Sequence, residues 1–427
     1  MRRLLTAGHE AYLVGGCVRD LYLGRRPKDF DIATSATPEA IRRLFRNSRV
    51  IGRRFKLAHV FFGAKIIETA TFRTAPQPSD DEDLMITHDN EWGSVEDDAR
   101  RRDFTINGLF FDVETEKIVD FVDGMADLDA RLIRTIGDPT LRFREDPVRM
   151  IRAVKFAARL DFEIEPATWQ ALLDVAPDIV KCSKARVLEE IYKLLRSGAA
   201  RRSFELMLQT GLFEHMMQPY LRMFGEVAQA KQRLLAAAAG EDEGDAQDAA
   251  LDPARLMWRL LAALDSYIQQ TDESVQNGVL QAALFAPLVG RELAGGSRQA
   301  LDRAIEGKLN QVGSVIGVAR RDRELARQIL MAHHRLLEPA NRRRRPAMAQ
   351  RQYFHDALVF LGLWVAGLGD GHHELEQWQR LAKGSRMPEP AVQQKRRRRR
   401  SGRRREESAP AEAAPTEPSG EAHAGES

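Results

Sequence analysis

Cysteine is almost missing from the 427 residues, with Cys17 and Cys182 alone, which excludes a disulfide framework and a cysteine-rich zinc module. Long apolar runs are missing as well. The longest uncharged one, Ala357–Gly369, falls short of the ~20 residues needed to span a bilayer. The opening MRRLLTAGHE has no apolar stretch of signal-peptide length. Excess charge of either sign is also lacking, since 65 Lys+Arg meet 62 Asp+Glu. These absences predict a protein of a reducing compartment, most simply the cytoplasm, without a membrane span. What is present suffices for folding: 43% of residues are apolar, enough for a sizeable core. The length predicts two to four domains.

The small net charge hides segregation. Arg42 to Lys56 contains seven basic residues and no acid, Arg100–Arg102 is a basic triplet and Arg342–Arg345 a quartet. Nine of the eleven residues from Lys395 to Arg405 are basic, and the stretch from Glu406 to Ser427 carries six Glu. Such blocks suit a polyanionic partner or a solvated tail.

Residues 11–136 read as mixed α/β. AYLV (11–14), DFDIA (29–33), HVFFG (59–63) and KIIETATF (65–72) have strand composition with turn residues between them. Pro38–Phe45 reads as a helix, LFFDV and KIVDFV as a hairpin, and Thr74–Trp92 as a polar mobile loop. Beyond Gly137 strand signals fade and helical patterns cover 147–160, 166–175, 185–197 and 200–212, continuing to about 383. Gly240–Asp252 reads as a surface loop. The expected fold class is α+β: a small mixed sheet, then an all-α body. The expected divisions are a catalytic head at 1–136, a helical neck at 137–215, a helical body at 216–386, and a disordered basic-then-acidic tail at 387–427.

Five stretches could carry chemistry. Asp29 and Asp31 in DFDIA would share one strand face with Cα atoms ~7 Å apart, leaving Phe30 and Ile32 for the core face. Carboxylates so placed repel unless a cation lies between them, and Mg²⁺ accepts one or two carboxylates plus substrate phosphates. Gly15-Gly16 at a strand-to-helix turn lets backbone N–H groups approach phosphate oxygens, with Arg19 as a further donor. Glu68, or Asp103 in RRDFTIN (101–107), could complete a carboxylate set gathered from different strands. Asp103 could equally hold a ribose hydroxyl or pair with Arg101 or Arg102. In REDPVRMIR (144–152), Asp146 before Pro147 reads as a helix N-cap. Arg149 and Arg152 are left on one face, where a carboxylate beside a planar donor fork can read a base edge. The pairs His333-His334 and His372-His373 lack the His-Asp spacing of a metal phosphohydrolase.

Taken in order, VGGCVRD, KDFDIAT, IIETATFR, RRDFTIN and REDPVRMIRAVKFAARL resemble the nucleotidyltransferase family that contains bacterial poly(A) polymerases and CCA-adding enzymes. The resemblance covers roughly residues 11–215; IGRRFKLAHV (51–60) and the basic tail resemble its polymerase branch. It implies ATP as substrate, Asp29 and Asp31 as Mg²⁺ ligands in a two-metal reaction, and Glu68 or Asp103 as third acid. Gly15, Gly16 and Arg19 would hold the triphosphate. Arg101, Arg102, Asp103 and Asn107 would lie at the sugar and active site. Asp146 and Arg149 would face adenine, supported by Glu145 and Arg152. The implied activity is template-independent addition of AMP to the 3′ ends of mRNA and other transcripts, promoting their decay, with CCA addition to tRNA as the alternative. Two departures stand out. Cys17 occupies a position where Gly or Ala is usual. Only ten residues precede the first strand, so Met1–Leu5 reads as the latter half of a longer helix, with the start upstream or the chain shortened.

Overall fold

Alternating β-branched and aromatic residues build the first third of the chain into one sheet. The computed structural model describes residues 1–52, 57–74, 91–240, 252–271, 273–295, 297–337 and 345–384. Its strands are β1 (Ala11–Val14), β2 (Asp31–Thr34), β3 (Ser48–Ile51), β4 (Leu57–Phe62), β5 (Lys65–Thr71), β6 (Leu109–Asp112) and β7 (Lys117–Asp120), in spatial order β3-β4-β5-β2-β1-β6-β7. Within this sheet, among the described residues, β2 and β5 alone pair in parallel, in a register that sets Asp31 opposite Glu68. Short helices α1 (Arg2–Thr6), α2 (Gly16–Tyr22) and α3 (Pro38–Leu44) follow the strand pattern, then α4 (Val95–Arg100) and α5 (Gly124–Asp129).

Because side chains alternate across a strand, the sheet has two different faces. Ile32, Ala58 and Val60 bury against Leu4, Ile41 and Phe45 of the α1 and α3 region. On the opposite face Val14, Ala33, Phe72 and Phe110 bury against Ala99 of α4. This second face also carries Asp31 and Glu68, by the register of their strands.

Helices then take over. They begin with α6 (Pro139–Glu145), α7 (Val148–Leu160), α8 (Pro166–Val175), α9 (Lys184–Leu195), α10 (Ala200–Gln209), α11 (Leu212–Leu221) and α12 (Val227–Ala239). Longer ones follow at Pro253–Gln270, Arg298–Val315, Arg320–Leu337 and Phe354–Leu368. A two-strand parallel bridge, β8 (Leu132–Ile133) with β9 (Glu163–Ile164), fastens the end of the head to the turn after α7. One apolar core runs unbroken from Cys17 and Phe104 through Ile151 and Phe204 to Trp364, so sheet and helices form a single unit over Met1–Ser385. No helix among the described residues is long and apolar enough to cross a membrane.

Three local expectations are corrected. The second strand starts at Asp31, so Asp29 and Phe30 precede it, and Phe30 is exposed rather than buried. A further strand, β3, lies within the basic stretch, where Arg49 and its polar neighbours masked the alternation. Asp146 is not the N-cap of α7: it ends α6, and α7 has no side-chain cap. The expected loops at 74–92 and 240–252, the Arg342–Arg345 quartet and the tail fall wholly or mostly outside the described residues.

Candidate active site

A cavity of about 710 Å³ lies between the sheet and the helices α7 and α9. Its lining includes Gly15, Gly16, Arg19, Asp31, Arg101, Arg102, Asp103 and Asn107 from the head, and Glu145, Asp146, Arg149 and Arg152 from the helices that follow. Asp29 and Glu68 do not line it; both act on Asp31 from beside it. Burial, then Glu68, then Asp29 push the Asp31 carboxyl up to about 6, against the pull of Arg102.

Between β1 and α2 the chain turns at Gly15 with φ of 70°, a conformation costly for residues with a Cβ. A Cβ there would also sit 3.1 Å from Nη1 of Arg102. Glycine at this position thus keeps the turn close to the arginine. Cys17, one residue into the helix, is buried with its thiol directed to the Val14 carbonyl.

Arg19 does not present a free fork to the cavity. Its Nε and Nη2 donate to Asp20 Oδ1 at 2.9 and 2.6 Å, and Nη1 donates to Asn107 Oδ1 at 2.7 Å. The buried guanidinium therefore fastens the glycine turn to the RRDFTIN segment. Asp98 does similar work for the arginine pair, accepting from Arg101 on Oδ1 at 2.7 Å and from Arg102 on Oδ2 at 2.8 Å. Burial alone would raise its pKa; the two guanidinium groups hold it below the ordinary value. Asp98 was missed in the sequence, although it stands three and four residues before two arginines at the end of a helix, where such pairs meet.

Asp103 pairs with neither Arg101 nor Arg102. Its Oδ2 accepts from Arg152 at 2.6 Å, and its Oδ1 accepts from Asn107 at 3.2 Å. Burial opposes ionisation there, but Arg152 and Asn107 overcome it and hold the carboxyl at about 2. Asp103 thus ties the head to α7.

Around the REDPVR turn, Glu145 Oε2 accepts from Arg142 at 2.7 Å and from Arg149 at 2.8 Å. Arg142 in turn donates to the carbonyls of Arg101 and Arg102. Asp146 Oδ2 accepts from Arg186 of α9 at 2.7 Å, while its Oδ1 is buried with no hydrogen-bond partner. Leaving a buried acceptor empty is costly, and in this arrangement Oδ1 is closed off from the cavity. Arg142 and Arg186 were not singled out in the sequence; neither lies in a motif that announces its partner.

Carboxylates from neighbouring strands thus stand beside a glycine turn and an arginine-rich cavity. Residues 11–134 match the family described as the poly A polymerase head domain. Residues 161–224 match the one described as the probable RNA and SrmB- binding site of polymerase A. Over these two stretches the chain is similar to poly(A) polymerases and CCA-adding enzymes. It is 47% identical over 232 residues to poly(A) polymerase I of Salmonella typhimurium, covering 52% of this chain and 50% of that one. With the Haemophilus influenzae poly(A) polymerase I it shares 41% over 266 residues, 60% and 59% of the two chains. The CCA-adding enzyme of Bacillus subtilis is 37% identical over 217 residues, 51% and 54% of the two. The chain spans about half the length of the curated relatives it matches. The crystal structure of the Bacillus stearothermophilus CCA-adding enzyme in complex with CTP superposes with a TM-score of 0.52 at 27% identity, covering 90% of this chain and 96% of that one.

Proposed function

We propose that the protein is a cytoplasmic, template-independent polynucleotide adenylyltransferase that transfers AMP from ATP to RNA 3′ ends. The observation that carries this reading is the convergence of Asp146, Arg149 and Asp31 on one cavity. An acceptor beside a donor fork matches the Watson–Crick edge of adenine, which offers an amino group next to a ring nitrogen. Guanine and uracil present the opposite order and are refused, since mismatched buried polar groups stay unpaired. The greater identity to the poly(A) polymerases supports the polymerase reading.

Asp29, Asp31 and Glu68 fit Mg²⁺. Burial first, then repulsion from Glu68 and Asp29, raises the Asp31 pKa, a state that a cation relieves. Among the described residues no group of three His, Cys, Asp or Glu side chains is gathered closely enough to hold a metal ion, so substrate phosphates would have to complete the coordination of a Mg²⁺. When bound, the ion supplies activation of the RNA 3′ hydroxyl and charge neutralisation at the departing pyrophosphate. Glu68 is the better third acid, because Asp103 is already committed to Arg152. The glycine turn and Arg102 accommodate the triphosphate, while the Arg19–Asn107–Asp103–Arg152 chain fixes the sugar side. The 3′ hydroxyl attacks the α-phosphorus, the bond to the β-phosphate oxygen breaks, and pyrophosphate leaves. The residues supply mainly position and charge.

CCA addition to tRNA is the second reading. Cytosine presents the same amino-plus-ring-nitrogen order as adenine, and the CTP-bound CCA-adding enzyme shares this fold. Offering each of the four nucleotides on a generic RNA and on a tRNA lacking its CCA end separates the two. The polymerase extends both RNAs with ATP; the CCA-adding enzyme needs CTP first and restricts itself to the tRNA.

A further inference from the structure

The strand register carries the candidate carboxylates into an uncovered stretch of sheet. Asp31 on β2 lies opposite Glu68 on β5, Glu68 opposite His59 on β4, and His59 opposite Arg49 on β3. These four side chains therefore form one row across four strands on one face. His59 Nε2 lies 3.4 Å from Glu68, and its ring stands edge-on to that of Phe61 at 6.5 Å. The neighbouring row on this face pairs Phe61 with Ile66, and the row on the other side pairs Ile51 with Leu57.

Nearer β1 this face is covered by α4, which buries Val14, Ala33, Phe72 and Phe110. At the β3–β5 end it is open: Phe61 is 37% exposed, Ile66 51% and Ile51 41%. Arg49, on the same face by its register, is also exposed. Nothing from β3, β4 or β5 lines the nucleotide cavity, although Asp31 does. The open face thus starts at the reacting centre and leads away from the nucleotide.

We propose that this face is a platform for the 3′-terminal nucleotides of single-stranded RNA, with Phe61 and Ile66 under a base and Arg49 at a phosphate. The proposal rests on the adenylyltransferase reading. Three features commit it to RNA. A ring beside an exposed cation is the combination that holds single strands without sequence preference, through stacking and phosphate attraction. Arg49, within a stretch from Arg42 to Lys56 free of acids, stands on this face and complements a phosphate. The face is also continuous with the carboxylates that a 3′ hydroxyl has to reach. Stacking requires a flat apolar ring rather than a particular hydrogen bond, so tryptophan serves as well as phenylalanine.

The test uses the full chain, Mg²⁺, ATP and a short single-stranded oligoadenylate. AMP incorporation by the wild type first establishes the underlying reading; its absence defeats that reading, not the platform specifically. Given activity, Phe61→Ala and Arg49→Glu should each raise the KM for RNA about fivefold or more. The KM for ATP should stay within twofold, and Phe61→Trp should restore the RNA KM. Thermal unfolding at the wild-type temperature excludes a folding defect. Unchanged RNA KM in both variants overturns the proposal. So does a wild-type self-association that Phe61→Ala abolishes without affecting RNA use, because the face then belongs to a second copy.

Discussion

At the scale of single residues, Asp31 and Asp146 are each held in an unfavourable state. Asp31 is crowded by Glu68 and Asp29. Asp31→Asn should abolish AMP incorporation while leaving the melting temperature of metal-free protein equal to or above wild type, since it removes repulsion and no hydrogen bond. A marked loss of stability would show that the carboxylate is structural. Asp146 is braced on one oxygen by Arg186 and bare on the other. Asp146→Asn turns part of the acceptor edge into a donor, and Arg186→Ala frees the side chain to swing. Both should lower the preference for ATP over GTP, whose base presents the opposite order, Asp146→Asn by tenfold or more, as expected for about 1.4 kcal/mol of discrimination. Competition between labelled ATP and GTP in single-turnover reactions reads this directly. An unchanged ratio in Asp146→Asn would remove the base-reading role.

At the scale of elements, α7 and α9 are joined by a buried ion pair, Lys155 with Glu190 at 2.8 Å. Burial and nearby Arg152 pull Lys155 down to about 8, against the support of Glu190. Glu190→Ala strands that amine in the interior and should cost about 3–5 kcal/mol, whereas Lys155→Met with Glu190→Leu should cost much less. Urea unfolding of the two variants decides this, and equal midpoints would mean the pair is not sensed as buried charge. Further along, His333 on Arg320–Leu337 is fully buried between Phe360 and Trp364, with neither ring nitrogen hydrogen-bonded. Burial and then His334 hold its pKa down at about 3. Its folded pKa lies below the unfolded value, so its contribution is intact above pH 6.5. Stability is then lost as pH falls, by about 1.4 kcal/mol per unit between roughly pH 6 and 3. Thermal unfolding between pH 7 and pH 4 should steepen for the wild type relative to His333→Leu; parallel profiles would contradict the assignment.

Over the whole molecule, the elements were legible where local pattern and tertiary demand agree. The alternation of AYLV and KIIETATF predicts β1 and β5, and Pro166 opens α8 as a proline at the first helical turn should. The parallel pairing of β2 with β5 was not legible. It depends on α3, β3 and β4 intervening between two strands, and it alone sets Glu68 beside Asp31. Site residues stood out where motif and chemistry coincide, as in VGGCVRD and RRDFTIN. Their partners Asp98, Arg142 and Arg186 did not, since a buried arginine acquires its meaning only from the carboxylate or carbonyl that folding brings to it. The same limit explains Asp146, which looks like a cap until α6 is seen to end on it.

The most direct measurement is extension of an RNA of arbitrary 3′ end with ATP as the sole nucleotide, by wild type and by Asp31→Ala, with the product sequenced. A site in which Asp31 serves the transfer and Asp146 with Arg149 reads adenine predicts a tract of many A residues from the wild type and none from Asp31→Ala. A single A added only after an existing CC end, or a tract that persists in Asp31→Ala, would contradict the account.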